Sequence, residues 1–276
     1  MEHVIVQGDT ASSYAVCLAA YNRGISISHV EAGLRTFDKN NPYPEECYRR
    51  MISCMATYNF CPTEREMENL VREKQADHVW VTGNTVIDTL PALHVTYEDT
   101  VLVTMHRREN HDIMEKWFIE LENLAQLFPK IDFVIPLHPN PAVQEASKVL
   151  KRVRAVRPMS HDELIKTIAK SKLVITDSGG IQEEASFYNK KVLVCRTTTE
   201  RPAQNQIMVR KPNDLVSTFE QTIKDYELNI TCPFGTGDSS ERIYNLIMEN
   251  LNVRQTNSVP LHDRQERKDR SLPSVS

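Results

Sequence analysis

Short apolar runs alternate along this chain with longer segments whose apolar residues recur at the spacing of an amphipathic helix. In the first third of the chain, runs at residues 4–6, 25–30 and 79–81 predict three strands. From residue 101 onward the pattern predicts five or six more, the clearest at residues 101–104, 133–136, 155–156, 173–176 and 191–195. Helices are predicted at residues 12–22, 44–55, 63–74, 115–127, 141–150, 162–171, 182–187 and 214–226. This alternation of strands and helices is typical of parallel sheets built from βαβ units.

A turn-rich stretch near residues 91–100 separates the two series of strands. We therefore expect an α/β protein with two parallel-sheet domains, residues 1–95 and 96–252. A last amphipathic helix, residues 239–251, is expected to pack back on the first domain. Residues 253–276 carry few core residues and are predicted to form a disordered tail.

The composition excludes several classes of protein and leaves the expected fold unchanged. Lys and Arg number 33 against 37 Asp and Glu, so the net charge of −4 does not favour a nucleic acid as partner. No apolar run approaches the ~20 residues that span a bilayer, and no signal peptide is visible, so a cytoplasmic protein is expected. The six cysteines form no CxxC pair, which predicts free thiols and no metal site.

Polar residues cluster directly after the predicted strands of the first domain, where open α/β sheets bind ligands. Asp9 follows the first strand and is suited either to hold a proton or sugar hydroxyl, or to cap the next helix. Glu31 follows the second strand and is suited either to act as an acid or base, or to pair with Arg35. Glu45 opens a helix, where it suits the helix dipole and lies four residues before Arg49, a spacing that also allows a structural ion pair.

The strand ends of the second domain carry basic and glycine-rich segments. His106 and Arg107 follow its first strand, where they are suited to bind phosphate and supply a proton or to form a solvated loop. His138 follows the next strand between residues that favour a rigid turn. Ser178, Gly179 and Gly180 lie between a strand and a helix, so their backbone N–H groups can face a phosphate.

The segment around residues 177–184 matches neither the Rossmann nor the Walker glycine pattern. Glu184 in the helix that follows is suited to reach a ribose diol, or to face solvent. Arg201 follows a later strand and is suited to contact a diphosphate, or to cap a loop. The same kind of position thus carries chemistry-bearing side chains on both predicted sheets.

These motifs, in this order, resemble those of the non-hydrolysing UDP-N-acetylglucosamine 2-epimerases. The resemblance extends to about residue 251 and rests on QGDT, HVEAGLRT, NPYPEE, VTGNTVID, HRREN, DSGGIQEEA and TTERP. It implies two Rossmann-like domains of the glycosyltransferase-B type, with a UDP-sugar in the cleft between them.

The activity implied by the resemblance is the interconversion of UDP-GlcNAc and UDP-ManNAc, which feeds cell-surface polysaccharide biosynthesis. UDP leaves with the C2 proton, 2-acetamidoglucal forms, and UDP adds back; no cofactor is needed. Two other functions stay open from the sequence, namely a catalytically weak UDP-sugar-binding or regulatory fragment and a hydrolysing 2-epimerase.

The resemblance also assigns roles to individual positions. It places the catalytic groups at Asp9, Glu31, Glu45, Arg49 and His106. It places the contacts to uridine diphosphate at Ser178, Gly179, Gly180, Glu184 and Arg201. Arg107 and His138 match positions that, in bacterial members, contact a second UDP-GlcNAc acting as an allosteric activator.

The chain departs from the family pattern at its beginning and at a few positions. The family carries about 85 residues before QGDT, so we expect an incomplete first domain with an unpaired strand edge. The expected partners are therefore a second copy in a homodimer or a complementing N-terminal segment. Leu164 stands where an aromatic residue beside the uracil is usual, and His161 stands for a common Tyr.

Overall fold

The fold was examined in a computed structural model, which describes residues 3–75 and 77–257. The first sheet has four parallel strands in the order β1-β2-β3-β4. They are β1 (His3–Gln7), β2 (Ser26–Val30), β3 (Tyr58–Cys61) and β4 (Val79–Val81). Three helices connect them: α1 (Ala11–Tyr21), α2 (Glu45–Met55) and α3 (Glu64–Arg72). Because all four strands are parallel, their carboxyl ends lie along one edge of the sheet.

The second sheet has six parallel strands in the order β10-β9-β8-β5-β6-β7. They are β5 (Glu98–Thr104), β6 (Asp132–Pro136), β7 (Arg154–Val156), β8 (Ser171–Thr176), β9 (Val192–Val194) and β10 (Gln206–Met208). The helices are α4 (Met114–Leu127), α5 (Pro141–Ala146), α6 (His161–Lys170), α7 (Gly179–Phe187) and α8 (Leu215–Thr222). Short 3-10 helices lie at Ile87–Thr89, Arg108–Ile113, Ser147–Val149 and Pro212–Asp214.

The core of the second sheet forms on both faces, as its near-continuous apolar strands require. One face packs against α4 and α8, where Trp117, Phe118 and Phe219 are fully buried. The other face packs against α6 and α7 and also takes in Ile87 from the segment after β4. Packing on both faces holds the strands in place, and with them the residues at their carboxyl ends.

The chain passes between the two sheets twice, and the two crossings touch each other. The first crossing runs from β4 to β5, and the second runs from α8 to the last helix, α9 (Ser239–Asn257). The backbone N–H of Asn84 in the first donates to the carbonyl oxygen of Phe234 in the second at 2.7 Å. Asp88 in the first crossing accepts the backbone N–H of Ser239 at 3.0 Å.

The helix α9 returns to the first sheet. Its residues Ile243 and Ile247 are buried in one cluster with Val30, Tyr58 and Phe60. The chain therefore completes the core of its first half with its last described helix.

The expected α/β fold with two parallel-sheet domains is confirmed. The count of three strands in the first half is wrong, because β3 was not recognised as a strand. The helix expected at residues 141–150 is shorter, since α5 ends at Ala146 and a 3-10 turn follows. The tail was predicted from residue 253, but α9 continues to Asn257; residues 258–276 lie outside the described residues.

Candidate active site

The first strand end places Asp9 against α2. Thr10, not Asp9, caps α1, because the Thr10 side chain accepts the backbone N–H of Ser13 at 3.2 Å. The capping interpretation of Asp9 is therefore wrong. The carboxylate of Asp9 instead accepts from Nε of Arg49 at 3.0 Å and also from Nη2 of Arg49.

Glu31 emerges at the end of β2 and points toward the second half of the molecule. Its Oε1 accepts from Gln7 Nε2 at 2.9 Å, and its Oε2 lies 3.2 Å from Nη2 of Arg201. The alternative pairing with Arg35 does not occur, because Arg35 donates to Glu73 at 2.7 Å. Glu31 is thus held at the boundary between the two sheets.

The two carboxylates at the start of α2 have different environments. Glu46 is buried and accepts the backbone N–H groups of Thr36 and Phe37, both at 3.0 Å, and Nη1 of Arg49 at 3.2 Å. Glu45 is half-buried, and its carboxylate makes no hydrogen bond or ion pair within residues 3–75 and 77–257. The structural pair between Glu45 and Arg49 is therefore absent from the described part of the chain.

Asp177 holds the segment that follows β5. This buried carboxylate accepts the backbone N–H groups of His106 at 3.1 Å and Arg107 at 2.9 Å, and the side-chain amide of Asn110 at 3.0 Å. The ring of His106 stacks on that of His138 with 5.3 Å between centroids. Burial lowers the pKa of His106, although Asp177 opposes the shift. The segment is therefore an anchored turn and not a solvated loop.

The glycines after β8 have different surroundings. A Cβ atom on Gly179 would lie 2.7 Å from Nη1 of Arg201, so this position has no space for a side chain. A Cβ atom on Gly180 would meet nothing within 4 Å. Ser178 precedes α7 and makes no side-chain capping bond. Open space therefore adjoins Gly180 at the start of α7, where the first backbone N–H groups of a helix have no partner within the helix.

Glu184 lies on the second turn of α7 and is buried, so the solvent-facing interpretation is wrong. Its Oε1 lies 2.9 Å from Nε2 of His161. Its Oε2 is buried and has no hydrogen-bond partner among the described residues. Burial raises the pKa of Glu184, and His161 works against that shift.

A cavity of about 190 Å³ opens at the carboxyl ends of β5 and β6. Most of its exposed lining is apolar. The lining comprises Thr104, Met105, His106, Pro136, Leu137, His138, Pro139, Pro158, Met159, Leu164, Ser178 and Ile181. A flat, weakly polar ring would fit such walls.

Arg201 lies where the two halves meet, and three carboxylates surround it. Its Nη1 donates to Glu200 at 2.6 Å, its Nε donates to Glu183 at 2.9 Å, and its Nη2 faces Glu31. Burial raises the pKa of Glu200, but Arg201 and Arg196 outweigh burial and lower it to about 2. The loop-capping alternative does not describe Arg201, whose guanidinium joins groups from both sheets.

Sequence reasoning missed three buried acids in this region: Glu46, Asp177 and Glu183. The motifs NPYPEE and DSGGIQEEA each contain two adjacent carboxylates, a signal that covers Glu46 and Glu183 but not Asp177. Adjacent positions on a helix face different directions. In α2 only the second carboxylate of the pair is buried, whereas in α7 both are.

A profile of the UDP-N-acetylglucosamine 2-epimerase family matches residues 1–248. The chain belongs to this family. A UDP-N-acetylglucosamine 2-epimerase of Neisseria meningitidis is 36% identical over 282 residues, covering 90% of this chain and 76% of the relative. One from Bacillus subtilis is 37% identical over 284 residues, covering 91% and 73%.

Solved structures of the family have the same fold as this member. The UDP-GlcNAc 2-epimerase of Neisseria meningitidis bound to UDP-GlcNAc superposes with a TM-score of 0.83 at 35% identity, covering 90% of this chain and 76% of that one. The enzyme of Methanocaldococcus jannaschii in complex with UDP-GlcNAc and UDP gives 0.77 at 29% identity, covering 90% and 76%. The two parallel-sheet domains are accordingly of the glycosyltransferase-B type.

Two further observations concern residues 3–75 and 77–257 alone. None of the helices there is long and apolar enough to cross a membrane. No group of three or more His, Cys, Asp or Glu side chains there is arranged to hold a metal ion.

Proposed function

We propose that this chain is a non-hydrolysing 2-epimerase that interconverts UDP-GlcNAc and UDP-ManNAc. The observation that carries the proposal is the contact between Glu31 and Arg201, 3.2 Å from Oε2 to Nη2. It brings the carboxylates of the first sheet and the glycine turn of the second to one cleft. In a nucleotide-sugar the diphosphate is bonded directly to C1 of the sugar, so both parts of a substrate bound in this cleft would find partners.

The second sheet provides groups suited to each part of the nucleotide. The cavity near Leu164 suits the uracil, and the unpartnered oxygen of Glu184 suits a ribose hydroxyl. The N–H groups that begin at Gly179 and Gly180 suit the diphosphate. Arg201 is only 13% exposed and already surrounded by carboxylates, so we assign it to the sugar side of the cleft and not to the diphosphate.

The first sheet provides the groups that the reaction needs at C2. A carboxylate takes the C2 proton, the C–H electron pair forms the C1–C2 double bond, and the C1–oxygen bond breaks so that UDP leaves with its electrons. In the return step UDP attacks C1, and C2 takes a proton on its other face. We assign these transfers to Glu45 and Glu31, with the Asp9–Arg49 pair and His106 orienting the sugar.

His138 and Arg107 stay proposed contacts for a second UDP-GlcNAc. The support is the stacking of His138 on His106, which would couple an occupant on that side to the active site. We further propose that the protein acts in the cytoplasm and as a homodimer.

Incubation of the full chain with UDP-GlcNAc in deuterated water tests the proposal. We expect UDP-ManNAc that carries deuterium at C2. Proton and phosphorus NMR would detect this product. Release of UDP with free ManNAc would indicate a hydrolysing enzyme instead. Tight binding of UDP-GlcNAc without formation of either product would indicate a UDP-sugar-binding protein that has no epimerase activity.

A further inference from the structure

Glu183, which the proposed reaction does not use, is buried at the junction of the two halves. Only 2% of the residue is exposed. Its Oε1 accepts two hydrogen bonds of 2.9 Å, one from the side-chain amide of Asn84 and one from Nε of Arg201. Asn84 belongs to the first crossing and Glu183 to α7, so this carboxylate joins the two halves.

The guanidinium of Arg201 has one orientation that satisfies all its partners. A planar fork is fixed in space once two of its nitrogens are held. Glu183 holds Nε and Glu200 holds Nη1, and these two contacts direct Nη2 toward Oε2 of Glu31. Gly179 lies against the fork so closely that even a Cβ atom would be 2.7 Å from Nη1. The fork therefore has little freedom to turn.

We infer that Glu183 is a positioning residue that fixes Arg201 against Glu31 and sets how strongly Arg201 attracts the proton-transferring carboxylate. The role of Glu31 in this inference rests on the proposed function. The linkage from Glu183 through Arg201 to Glu31 rests on the hydrogen bonds described above.

The charge of Glu183 determines in which direction this linkage changes the reactivity of Glu31. Burial raises the pKa of Glu183 to about 7, with a contribution from Glu31 and against the pull of Arg201. The charges of Arg201, Glu31 and Cys232 interact with that of Glu183. Above about pH 7 Glu183 is ionised, and its negative charge repels that of Glu31 across Arg201. Without the Glu183 charge this repulsion is lost, the attraction of Arg201 for Glu31 is opposed less, and Glu31 becomes a weaker base.

The substitution Glu183→Gln removes the charge and keeps an oxygen that can accept both hydrogen bonds. Above about pH 7, where Glu183 of the parent is ionised, we expect the kcat of this variant to lie about ten- to a hundredfold below that of the parent, within the range for one acid–base group. Below that pH the parent loses the Glu183 charge as well, so the two kcat values should converge, while the KM for UDP-GlcNAc and the Kd for UDP change less than about twofold. Glu183→Asp keeps an ionisable carboxyl one methylene farther away, so its kcat should fall but should still rise with pH relative to that of Glu183→Gln.

Glu184→Gln and Glu241→Gln are the matched controls. Glu184 is the next residue on α7, and its substitution should raise the Kd for UDP without making the ratio of its kcat to that of the parent depend on pH. Glu241 is exposed on α9, and its substitution should change none of these quantities. A parallel loss of kcat, UDP affinity and melting temperature in Glu183→Gln, with the same loss of kcat above and below pH 7, would overturn the inference and leave Glu183 a structural residue.

A second measurement does not depend on turnover. In protein labelled with carbon-13 at glutamate carboxyls, the Glu31 resonance is assigned by its loss in Glu31→Gln. In the parent its chemical shift should change as Glu183 ionises near pH 7, and this change should be absent from Glu183→Gln. A Glu31 chemical shift that stays constant near pH 7 in the parent would refute the linkage even if the parent proves inactive. A change near pH 7 in an inactive parent would retain the linkage while refuting the proposed function.

Discussion

Glu45 and Glu46 are adjacent carboxylates with opposite relations to the fold. Glu46 is buried and satisfies two backbone N–H groups of the turn at Thr36 and Phe37, so it stabilises the wall of the cleft. Glu45 makes no such contact in the described part of the chain and is available to a ligand. A single step along a helix, about 100° of rotation, separates a structural carboxylate from the one that we propose to be reactive.

The two variants Glu45→Gln and Glu46→Gln should therefore behave differently. Glu45→Gln should abolish exchange of the C2 proton, with a loss of kcat of about a hundredfold or more, and leave unfolding in urea unchanged. Glu46→Gln should lower the free energy of unfolding by about 2 kcal/mol, because hydrogen bonds to a charged acceptor are lost. Proton exchange by NMR and urea titration measure the two effects. Equal destabilisation by both would show that Glu45 is structural as well.

Gly179 and Gly180 provide a second matched pair. In Gly179→Ala the methyl group would press on Arg201, which three carboxylates hold in place, so overpacking should cost about 1–3 kcal/mol. In Gly180→Ala the methyl group enters open space, and helix propensity should raise stability by up to ~1 kcal/mol. The same methyl group should weaken UDP binding, measured by calorimetry, because it covers the N–H groups proposed to face the diphosphate. Unchanged UDP affinity in Gly180→Ala would place the diphosphate elsewhere.

At this scale the sequence indicates which residues carry chemistry but not which partners they take. Asp9, Glu31 and Arg201 could be selected because they follow strands, where α/β proteins bind ligands. Their partners are Arg49, Arg201 and Glu183, and the contact between Glu31 and Arg201 spans 170 positions. Because local pairs such as Glu31 with Arg35 are equally compatible with the sequence, only the folded chain decides between them.

The segment from His106 to Ile113 is an element whose position depends on one buried acid. Asp177 receives two of its backbone N–H groups and the amide of Asn110. In Asp177→Asn the negative charge is lost. One carboxylate oxygen is also replaced by an NH2 group, which cannot accept a hydrogen bond.

We expect Asp177→Asn to lower the free energy of unfolding by about 2–3 kcal/mol, since a buried charged acceptor is lost. It should also lower the pKa of His106 further, because the charge of Asp177 now raises that pKa. Chemical denaturation and the proton NMR titration of the His106 ring measure the two quantities. Asp162→Asn, at an exposed position in the first turn of α6, serves as the control. A rise in the His106 pKa would contradict this assignment of the electrostatics.

The elements that sequence patterns failed to predict are short and lack alternation. All four residues of β3, Tyr58–Cys61, are buried, and only two residues separate the strand from the end of α2, so no turn signal precedes it. The strand β10 has three residues, half-buried at a sheet edge. The longer strands β5 and β8 carry continuous apolar runs, and that length made them predictable.

For the whole molecule, two buried groups give opposite dependences of stability on pH. Burial lowers the pKa of His29 to about 4, against an ordinary value near 6.5. The stability that neutral His29 contributes is therefore lost as the pH falls from about 6.5 to 4. The pKa of Glu183 is raised to about 7, so its contribution is present at low pH and is lost as the pH rises from about 4.5 to 7.

Single variants should separate these contributions. Relative to the parent, the free energy of unfolding of Glu183→Gln should rise by about 3 kcal/mol between pH 4.5 and 7, since one pKa unit corresponds to 1.36 kcal/mol. That of His29→Gln should fall by a similar amount over the same range. Urea unfolding at several pH values measures both, with the exposed His94→Gln as control. Two variants that drift in the same direction would refute the assignment.

The double crossing of the chain determines how the cleft is able to open. Gly83 and Gly235 meet where the crossings touch, so closely that a Cβ atom on Gly83 would lie 2.9 Å from the carbonyl oxygen of Phe234. A sliding motion of one half past the other would break the hydrogen bonds that join the crossings, whereas a rotation about the line through them would keep those bonds. In a rotation, atoms far from the axis move most, and Asn84 lies next to Gly83, where the two crossings touch. The Asn84–Glu183 hydrogen bond would therefore persist while the rim of the cleft opens. A substrate entering the open cleft would find Glu183 already in place.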